Sequence, residues 1–395
     1  MYLFMEKKKR IIIPLRRYID GTAPMNRLLG YAKGFSKLGI DVWFYFLITN
    51  NKEEKANIED PNIHFVYLWE NNNRFFKKNR ALGLFKNLLS VRKCIKKDDI
   101  LFIYGRANYM YVMARSVKHR SKIFCEITEH PEYQGYGLLK RISICFSLYH
   151  IKRLDGLFVI SQTLREYFIS KGVNKEKICV INIFVDGDRF NIDKTNDVNK
   201  YIAYCGSVSK IKDGVDVLIR SFALFHLKHP NYFLYIIGGK GDDEPLSYFE
   251  HLANELGVQK TVVFTGKVSA NKLPELLVNS QILALARPDS LQARNGFPTK
   301  LGEYLATGNP VLVTNVGEIP IFIKHRVNGF ISKESNVDDF ASQLCWIVEN
   351  EAQAKLIGLR GKELVDNEFS FIIQSKKAYD FIETTINNNM NNKND

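Results

Sequence analysis

Apolar residues recur along the chain in short continuous runs that alternate with longer segments of helical spacing. Runs rich in Val, Ile, Tyr and Phe predict buried strands, because strands of a parallel sheet are covered on both faces. In the first half these runs are residues 10–15, 41–47, 63–68, 100–104, 122–127, 156–160 and 178–183. In the second half they are residues 201–205, 233–237, 261–265, 281–286, 311–314 and 329–331. The alternation predicts two parallel sheets, each wound with helices.

The two series of elements predict two domains. Residues 1–185 form the first and residues 201–368 the second, and the polar segment 186–200 is predicted to be a linker. Helical spacing returns at residues 369–386, a helix that we expect to cross back to the first domain. Residues 387–395 are rich in Asn, too polar to pack, and expected to be disordered.

Composition narrows the class of protein. A chain of 395 residues that is 46% hydrophobic and 25% charged is typical of a globular protein with two domains. No apolar run approaches the roughly 18 residues of a membrane-spanning helix. The basic N-terminus precedes an apolar run of only residues 11–15 without a small-residue cleavage site, which predicts a first strand. Six cysteines without CxxC spacing predict core thiols in a reducing compartment, with no metal site or disulfide framework.

Positive charge is concentrated in the first half of the chain. Residues 1–200 carry 36 Lys and Arg against 20 Asp and Glu, a net charge of +16, whereas residues 201–395 carry −2. Cations mix with aromatic and aliphatic residues at positions 74–97 and 133–153. Such a face binds an anionic membrane surface or nucleic acid, or is only a solvated helix face. Because the sequence has no zinc-finger spacing or RNP motif, we expect a membrane surface and no nucleic acid.

The segment 295–310, NGFPTKLGEYLATGNP, carries the clearest candidate chemistry. It lies between the predicted strands 281–286 and 311–314 and joins a polar loop to a helix predicted at residues 301–307. Ligands of open parallel sheets bind at loops beyond the carboxyl ends of strands, and a helix N-terminus favours an anion. Glu303, about one turn inside this helix, is therefore a candidate for hydrogen bonding to hydroxyl groups of a ligand beside its phosphate. The alternative is a solvated Glu after an ordinary turn.

Four segments of the second half have the order and spacing of a known family. They are YCGSVSKIKDGVDVLIRSF (204–222), LYIIGGKG (234–241), VVFTGKVSANKLPELL (262–277) and LARPDSLQARNGFPTKLGEYLATGNPVLVTNVGEIP (285–320). As a set they resemble glycosyltransferases of the GT-B type, most closely family 4 (glycosyl transferases group 1). The resemblance implies an α/β fold with two Rossmann-like domains whose parallel sheets face each other across a cleft.

The resemblance assigns the donor site to the second half. Family members carry two glutamates separated by seven residues; here the second is Glu303, implied to bind the ribose, and the first position is Asn295. The Asn leaves the choice of donor sugar open. Lys212 is implied to neutralise the leaving diphosphate, and Ser207, after Gly206, stands where the family pattern places an Arg. Further candidates for donor binding are Gly296, Phe297, Thr299, Lys300 and Arg287.

Two segments of the first half resemble parts of the same family. GTAPMNRLLGYAKGFSKLG (21–39) resembles its first loop and helix, which makes Gly21, Thr22 and Asn26 candidates for contact with donor or acceptor. EITEHPE (126–132) ends a predicted strand, and His130 takes the place of a histidine that the family keeps near the transferred sugar, with Glu129 beside it. Without the family, the Gly-Thr pair predicts a helix cap and His130 a histidine in a turn.

The absence of a P-loop and of a GxGxxG after a strand argues against kinase and dinucleotide chemistry, and we expect no metal and no cofactor. The resemblance implies a retaining hexosyltransferase that uses a nucleotide-sugar, with a UDP-sugar favoured. We expect a saccharide or undecaprenyl-linked acceptor and a role in bacterial surface polysaccharide biosynthesis at the cytoplasmic face of the membrane. The alternative is a non-catalytic protein of the same fold whose basic face is an interaction platform.

Overall fold

The computed structural model describes residues 9–19, 21–48, 55–56, 58–69, 75, 78–106, 108–132, 137–195, 199–241 and 243–391. The chain divides into two compact units. Unit 1 comprises Met1–Asn182 and Phe371–Asp395, and unit 2 comprises Ile183–Ser370.

Unit 1 is built on one parallel sheet, which has seven strands within the described residues. The strands are β1 (Arg10–Leu15), β2 (Asp41–Phe46), β3 (Ile63–Tyr67), β4 (Ile100–Tyr104), β5 (Lys122–Ile127), β6 (Gly156–Val159) and β7 (Ile178–Val180). The helices between them are α1 (Ala23–Lys37), α2 (Arg80–Cys94), α3 (Asn108–Val117), α4 (Leu138–Ile151) and α5 (Gln162–Ser170). The strand order is β3-β2-β1-β4-β5-β6-β7, so the direction of winding reverses between β1 and β4.

Unit 2 repeats this plan with a parallel sheet that has six strands in the part of the chain that the structure describes. Its strands are β8 (Tyr201–Cys205), β9 (Phe233–Ile237), β10 (Val262–Gly266), β11 (Ile282–Leu285), β12 (Val311–Thr314) and β13 (Phe330–Ser332). Its helices are α6 (Lys210–Asp213), α7 (Val215–His226), α8 (Leu246–Glu255), α9 (Leu273–Val278), α10 (Leu291–Asn295), α11 (Thr299–Ala306), α12 (Ile319–Phe322), α13 (Val337–Glu349) and α14 (Glu351–Leu364). The strand order β10-β9-β8-β11-β12-β13 reverses between β8 and β11.

Burial explains why these runs form strands. Ile11, Ile12 and Ile13 of β1 are fully buried, and β11 and β12 are buried at every position. A strand with no polar alternation is stable only where helices cover both faces of the sheet, which is the arrangement of wound parallel sheets. Each predicted strand therefore has a counterpart in the structure, and the prediction of two helix-wound parallel sheets is confirmed.

The predicted domain boundaries differ from the observed ones. Part of the predicted linker is ordered within unit 2: residues Gly187–Phe190 form a 3-10 helix whose Phe190 side chain is buried. A segment without a run of apolar residues still packs here because this single aromatic ring anchors it. Residues 196–198 of the predicted linker lie outside the described residues.

The last helix, α15 (Phe371–Asn391), begins and ends later than predicted and packs on α1 within unit 1. Gly34 of α1 makes this approach possible, because a Cβ at that position would overlap the Ser375 side chain and lie 3.0 Å from the Phe371 carbonyl oxygen. The segment 387–391, predicted to be disordered, continues the helix, and residues 392–395 lie outside the described residues. Among the described helices, none combines the length and the apolar composition needed to span a bilayer.

Candidate functional site

The candidate site of unit 2 lies where the winding of its sheet reverses. Strands β8 and β11 are neighbours in the sheet, and each is followed at its carboxyl end by a loop that carries candidate residues. Gly206 and Ser207 follow β8, and Arg287 comes two residues after β11. Because connections leave this point in opposite directions, the two loops part and create the crevice in which such sheets bind ligands.

Gly206 is required by both its backbone conformation and its neighbours. Its φ of 151° lies in the region that favours glycine, and a Cβ there would lie 2.8 Å from the Tyr204 hydroxyl and overlap the Lys300 ammonium. Gly238, at the end of β9, allows an equally close approach, because a Cβ on it would overlap the carbonyl oxygen of Gly206. The loop after β8 therefore lies directly over the Lys300 side chain.

Lys300 is held by an internal ion pair. Its Nζ donates to Asp213 Oδ2 at 2.6 Å and to the Tyr204 hydroxyl at 3.1 Å, and the Tyr204 hydroxyl also contacts Asp213 Oδ2 at 2.8 Å. Burial lowers the pKa of Lys300 below its ordinary value, against the opposing attraction of Asp213. Although burial acts to raise the pKa of Asp213, the cations of Lys300 and Arg287 hold it below the ordinary range. The contact between Lys300 and Asp213 links α11 to the end of α6.

Lys212 has a different environment. Its backbone N–H donates to Ser209 Oγ at 2.9 Å, which caps the short helix α6, while its side chain is half-buried. Within the described part of the chain, its ammonium makes no hydrogen bond or ion pair. It contributes electrostatically to lowering the pKa of Lys300, so the two ammonium groups interact through space. Lys212 is thus a cation whose charge is available to a ligand.

Glu303 occupies the second turn of α11, since that helix begins at Thr299, two residues earlier than predicted. Its Oε1 accepts from Arg189 Nη1 at 3.2 Å, and its side chain is 23% exposed. Burial raises the pKa of Glu303 above its ordinary value, and the positive charges of Arg189 and Lys300 oppose this rise. Among the described residues nothing hydrogen-bonds to Oε2, which leaves one carboxylate oxygen for a hydroxyl donor.

Tyr304 fixes the position of α11 against the sheet. The backbone N–H of Cys205, the last residue of β8, donates to the Tyr304 hydroxyl at 2.6 Å, and that hydroxyl donates back to the Cys205 carbonyl at 3.3 Å. Tyr304 is fully buried. Because Glu303 and Tyr304 are adjacent in the helix, this anchor also fixes where the Glu303 carboxylate lies relative to the loop after β8.

The turn before α11 places the remaining candidates differently. Asn295 is 8% exposed, and its Nδ2 donates to the Leu291 carbonyl at 2.9 Å within its own helix. The Phe297 ring packs against Phe322 and Phe369, so only the backbone of this residue is left to face a ligand. Gly296 and Thr299 are half-buried.

Arg287 and Ser207, in the two loops at the crevice, take part in different contacts. Arg287 is 4% exposed and acts on the buried Asp213 carboxylate, whose pKa it helps to lower. The side chain of Ser207 is exposed, while its carbonyl accepts from the Tyr204 hydroxyl at 2.6 Å. A serine at this position leaves the loop without the guanidinium that the family pattern expects there.

In unit 1, His130 lies after the end of β5. Its Nδ1 accepts from the Glu132 backbone N–H at 3.2 Å, which leaves Nε2 as the protonated nitrogen of the neutral ring. The ring packs edge-on against Tyr167, with centroids 4.3 Å apart. Burial lowers the pKa of His130, with only partial opposition from Glu132, so the ring is neutral at neutral pH. The predicted neighbour, Glu129, is exposed.

The loop before α1 carries the other candidates of unit 1. Gly21 has a φ of 67°, a conformation that favours glycine. Thr22 occupies the N-cap position, yet its hydroxyl donates back to the Ile19 carbonyl at 3.0 Å and does not cap the helix. Asn26, one turn into α1, is exposed. The expectation of an ordinary Thr cap is therefore wrong, and the first N–H groups of α1 have no side-chain cap.

Comparison with known proteins identifies the family to which unit 2 corresponds. Residues 188–364 match the family described as glycosyl transferases group 1. This segment, just under half of the chain, is therefore similar to the glycosyl transferases group 1 family. Every candidate of unit 2, from Gly206 to Glu303, lies inside the matched segment.

Individual relatives show the same similarity. An uncharacterized glycosyltransferase of Methanocaldococcus jannaschii is 32% identical over 145 residues, which cover 37% of this chain and 35% of that protein. The amylovoran biosynthesis glycosyltransferase AmsK of Erwinia amylovora is 24% identical over 233 residues, 58% of this chain and 56% of that protein. The matches thus span between about a third and just over half of the length of these curated relatives.

A solved structure extends the similarity to nearly the whole chain. HepE of Anabaena, in complex with UDP, has a TM-score of 0.71 at 15% identity, covering 96% of this chain and 100% of that one. This likeness shows the fold, and the predicted GT-B class is confirmed.

Sequence reasoning missed a buried charged cluster in unit 1. Arg27 of α1 donates to Glu126 Oε1 at 2.6 Å and to the carbonyls of Ile181 and Asn182, both at 2.6 Å. Tyr31 donates to the same Glu126 oxygen at 2.7 Å. Glu126, inside the buried strand β5, is fully buried. A glutamate that interrupts the apolar run of the predicted strand 122–127 was the sequence signal that could have revealed this cluster.

One group of side chains in the described residues has a composition suited to a metal ion. Atoms of His229, Cys345 and Glu349 lie within 4.8 Å of one another, with Cys345 and Glu349 one turn apart on α13. None of these residues belongs to the site around Glu303. The expectation that the enzyme chemistry needs no metal or cofactor remains a prediction. All six cysteines are free thiols.

Proposed function

We propose that this protein is a retaining glycosyltransferase that transfers a hexose from a nucleotide-sugar to a saccharide acceptor. The observation that carries the proposal is the position of the Glu303 carboxylate, whose Oε2 is available to a ligand. Its helix, α11, is anchored to the end of β8 through Tyr304 and lies where the winding of the sheet reverses. A carboxylate has only hydrogen-bond acceptors, so it can accept hydrogen bonds from the two neighbouring hydroxyl groups of a cis-diol such as ribose. The family match of residues 188–364 supports the same role.

The second part of the proposal concerns Lys212, whose ammonium makes no ion pair among the described residues. During transfer, the bond between the sugar C1 and the diphosphate oxygen breaks, and the acceptor oxygen forms a new bond to C1 on the same face. The acceptor proton passes to an oxygen of the departing diphosphate. Lys212 stabilises the negative charge that accumulates on this group, which is greatest in the transition state. Lys300 contributes only through space, because its ammonium is bound to Asp213.

A UDP-sugar is the proposed donor. HepE of Anabaena, which shares the fold, was solved in complex with UDP. Asn295, in place of a glutamate, turns its amide onto its own helix, so an uncharged contact replaces a carboxylate near the sugar. We therefore infer a hexose donor whose recognition does not depend on a second carboxylate at this position.

The proposed acceptor is a saccharide, free or carried on an undecaprenyl lipid, in bacterial surface polysaccharide biosynthesis. AmsK, a relative, is named for amylovoran biosynthesis. The helix α4 supports a location at the inner face of the membrane, because Leu138 and Leu139 are 75% and 84% exposed beside the exposed Arg141. Apolar side chains next to cations bind anionic lipid surfaces.

A non-catalytic protein of the same fold is the alternative from another class. Ser207 and Asn295, which replace an Arg and a Glu of the family pattern, are the observations that favour it. Incubation with UDP-, GDP- and dTDP-sugars separates the two, because an active enzyme releases nucleotide from at least one of them. If no nucleotide is released from any of these sugars, with or without saccharide acceptors, the non-catalytic alternative is favoured.

Replacement of Glu303 by Ala tests the proposed nucleotide site directly. The substitution removes a charge-assisted hydrogen bond worth about 1.5–3 kcal/mol, so nucleotide affinity should fall roughly tenfold or more. Isothermal titration calorimetry with UDP measures this change, and the thermal unfolding midpoint of the ligand-free variant checks that it is folded. The exposed Glu363→Ala, on α14, is the matched control and should leave the affinity unchanged. An unaltered affinity in folded Glu303→Ala would contradict the assignment.

A further inference from the structure

Arg189 is the one side chain of the described residues that hydrogen-bonds to Glu303. Its Nη1 lies 3.2 Å from Glu303 Oε1, and its Nη2 lies 3.5 Å from the carbonyl oxygen of Ala270. The guanidinium therefore bridges α11 and the segment between β10 and α9. Its side chain is 33% exposed and that of Glu303 is 23% exposed, so the pair is partly shielded from water.

The position of Arg189 is built by the surrounding packing. The next residue, Phe190, is 2% exposed and anchors the 3-10 helix Gly187–Phe190 in unit 2. The chain that leads to it lies on α11 at Gly302, where a Cβ would overlap the side chain of Val185. The Val185 N–H donates to the Phe369 carbonyl at 2.9 Å. Arg189 is thus fixed beside Glu303 by neighbours on both sides of it in the sequence.

Among the described residues, the charged and titratable groups that interact with Glu303 come from three elements. Arg189 faces it from the 3-10 helix, and Lys300 acts on it from the preceding turn of α11. Cys205 at the end of β8 and Tyr304 on α11 also interact with Glu303, which contributes to raising the pKa of each of these two groups. Because Lys300 is bound to Asp213, Arg189 is the cation in direct contact with the Glu303 carboxylate.

We propose that Arg189 is a positioning residue for nucleotide binding, which holds Glu303 Oε1 so that the ionised carboxylate presents Oε2 to the ribose hydroxyls. This inference rests on the proposed function, since it assigns the partner that makes Glu303 competent. Arg189 acts through Glu303 and needs no contact with the nucleotide.

The expected pH dependence follows from the direction of each effect. Burial raises the pKa of Glu303 and Arg189 lowers it, so loss of the guanidinium leaves the pKa higher than in the wild type. The carboxylate would then take up a proton at a higher pH and lose its charge-assisted bonds to the ribose. The variant therefore binds nucleotide most weakly at acidic pH and recovers as the pH rises.

The test is the affinity of the full-length protein for UDP, measured by calorimetry between about pH 5 and about pH 8. Arg189→Gln should weaken binding roughly tenfold at the acidic end for each unit by which the pKa of Glu303 rises, and much less at the alkaline end. Arg189→Lys, which keeps the charge, should restore most of the affinity at every pH. The exposed Arg360→Gln on α14 is the matched control and should behave as the wild type.

A double-mutant cycle separates positioning from a general structural role. In the Glu303→Gln background, which cannot titrate, Arg189→Gln should change UDP affinity less than about twofold and should add no pH dependence. An equal loss at every pH, or an undiminished loss in the Glu303→Gln background, would overturn the inference. If Glu303→Ala itself leaves UDP binding intact, the proposed nucleotide site fails; if Glu303→Ala weakens binding but Arg189→Gln does not, only the inference about Arg189 fails.

Discussion

Two lysines of the candidate site carry the same formal charge but differ in their surroundings. Lys300 is bound to the buried Asp213, while the Lys212 ammonium has no ion-pair partner among the described residues. A buried cation whose charge is already compensated contributes mainly to stability, because little of its field is left for a ligand. An uncompensated cation near the ligand contributes to binding and catalysis.

Substitution of each lysine should therefore affect a different property. Lys212→Ala should lower turnover by more than it raises the Michaelis constant for the donor, because the charge acts chiefly on the leaving diphosphate. Lys300→Met should lower the free energy of unfolding by about 3–5 kcal/mol, because it leaves Asp213 buried without its cation. Steady-state kinetics and urea denaturation measure the two effects.

The pairing of Lys300 with Asp213 supplies the control for this comparison. The double variant Lys300→Met with Asp213→Asn should regain much of the lost stability, since no charge remains buried. If Lys212→Ala raises only the Michaelis constant, Lys212 binds the ground state alone. If Lys212→Ala destabilises the protein as much as Lys300→Met, the distinction between the two lysines is wrong.

Among the elements, α4 is distinguished by the apolar residues it leaves uncovered. Its exposed large side chains are Leu138, Leu139, Ile142, Phe146 and Tyr149. On α2, Leu82, Phe85 and Leu89 are exposed as well, while Arg74, Phe76 and Lys77 of the same basic segment lie outside the described residues. The buried side of α4 is limited to a few residues near its C-terminal end, such as Ser147 and Ile151.

The exposed face of α4 predicts binding to anionic membranes. Replacement of Leu138, Leu139 and Ile142 by Ser should weaken association with phosphatidylserine vesicles, because the apolar contacts that hold a helix in the lipid interface are lost. Replacement of Lys93 and Lys96 by Gln should weaken it too, by up to about 1 kcal/mol per cation. Vesicle co-sedimentation measures both, and nucleotide affinity should be unchanged in each variant.

An equal number of exposed apolar residues in unit 2 provides the matched control. Leu227, Ile321 and Leu356 are 82%, 58% and 58% exposed, and their replacement by Ser should not alter vesicle binding. The attraction to cations is screened over about 8 Å at physiological salt, so binding of the wild type should fall as salt rises. If the wild type does not bind anionic vesicles at low salt, the basic residues of 1–200 form only a solvated surface.

At the scale of the whole molecule, unit 1 combines residues of the first half of the chain with the helix α15 that follows unit 2. Helix α15 belongs to unit 1 and packs on α1, and its Phe381 ring contacts Phe124 and Phe158 of the sheet. The core of unit 1 therefore includes side chains from residues more than two hundred positions apart in the sequence. Unit 1 is complete only after unit 2 has been synthesised.

Gly34 offers a direct test of this packing. Gly34→Ala should lower the free energy of unfolding by about 1–3 kcal/mol, because its Cβ would overlap the Ser375 side chain, and relief requires α15 to move away. Chemical denaturation followed by circular dichroism measures the loss. Ser375→Gly should restore part of the stability in the double variant. A Gly34→Ala variant as stable as the wild type would show that the two helices do not pack this closely in solution.

The sequence by itself determined the secondary structure and fold class, because unbroken apolar runs such as residues 11–13 are stable only inside a sheet covered on both faces. It also proposed Glu303 as a candidate, because it follows the loop beyond a parallel strand, where such sheets bind ligands, and the family resemblance added Lys212; the roles of both stay predictions. Only the tertiary structure showed that Lys300 is compensated by Asp213, that the Phe297 ring is buried, and that Arg189, in the predicted linker, meets Glu303. These facts depend on contacts between residues distant in sequence, and local patterns carry no information about which charged groups the fold brings together.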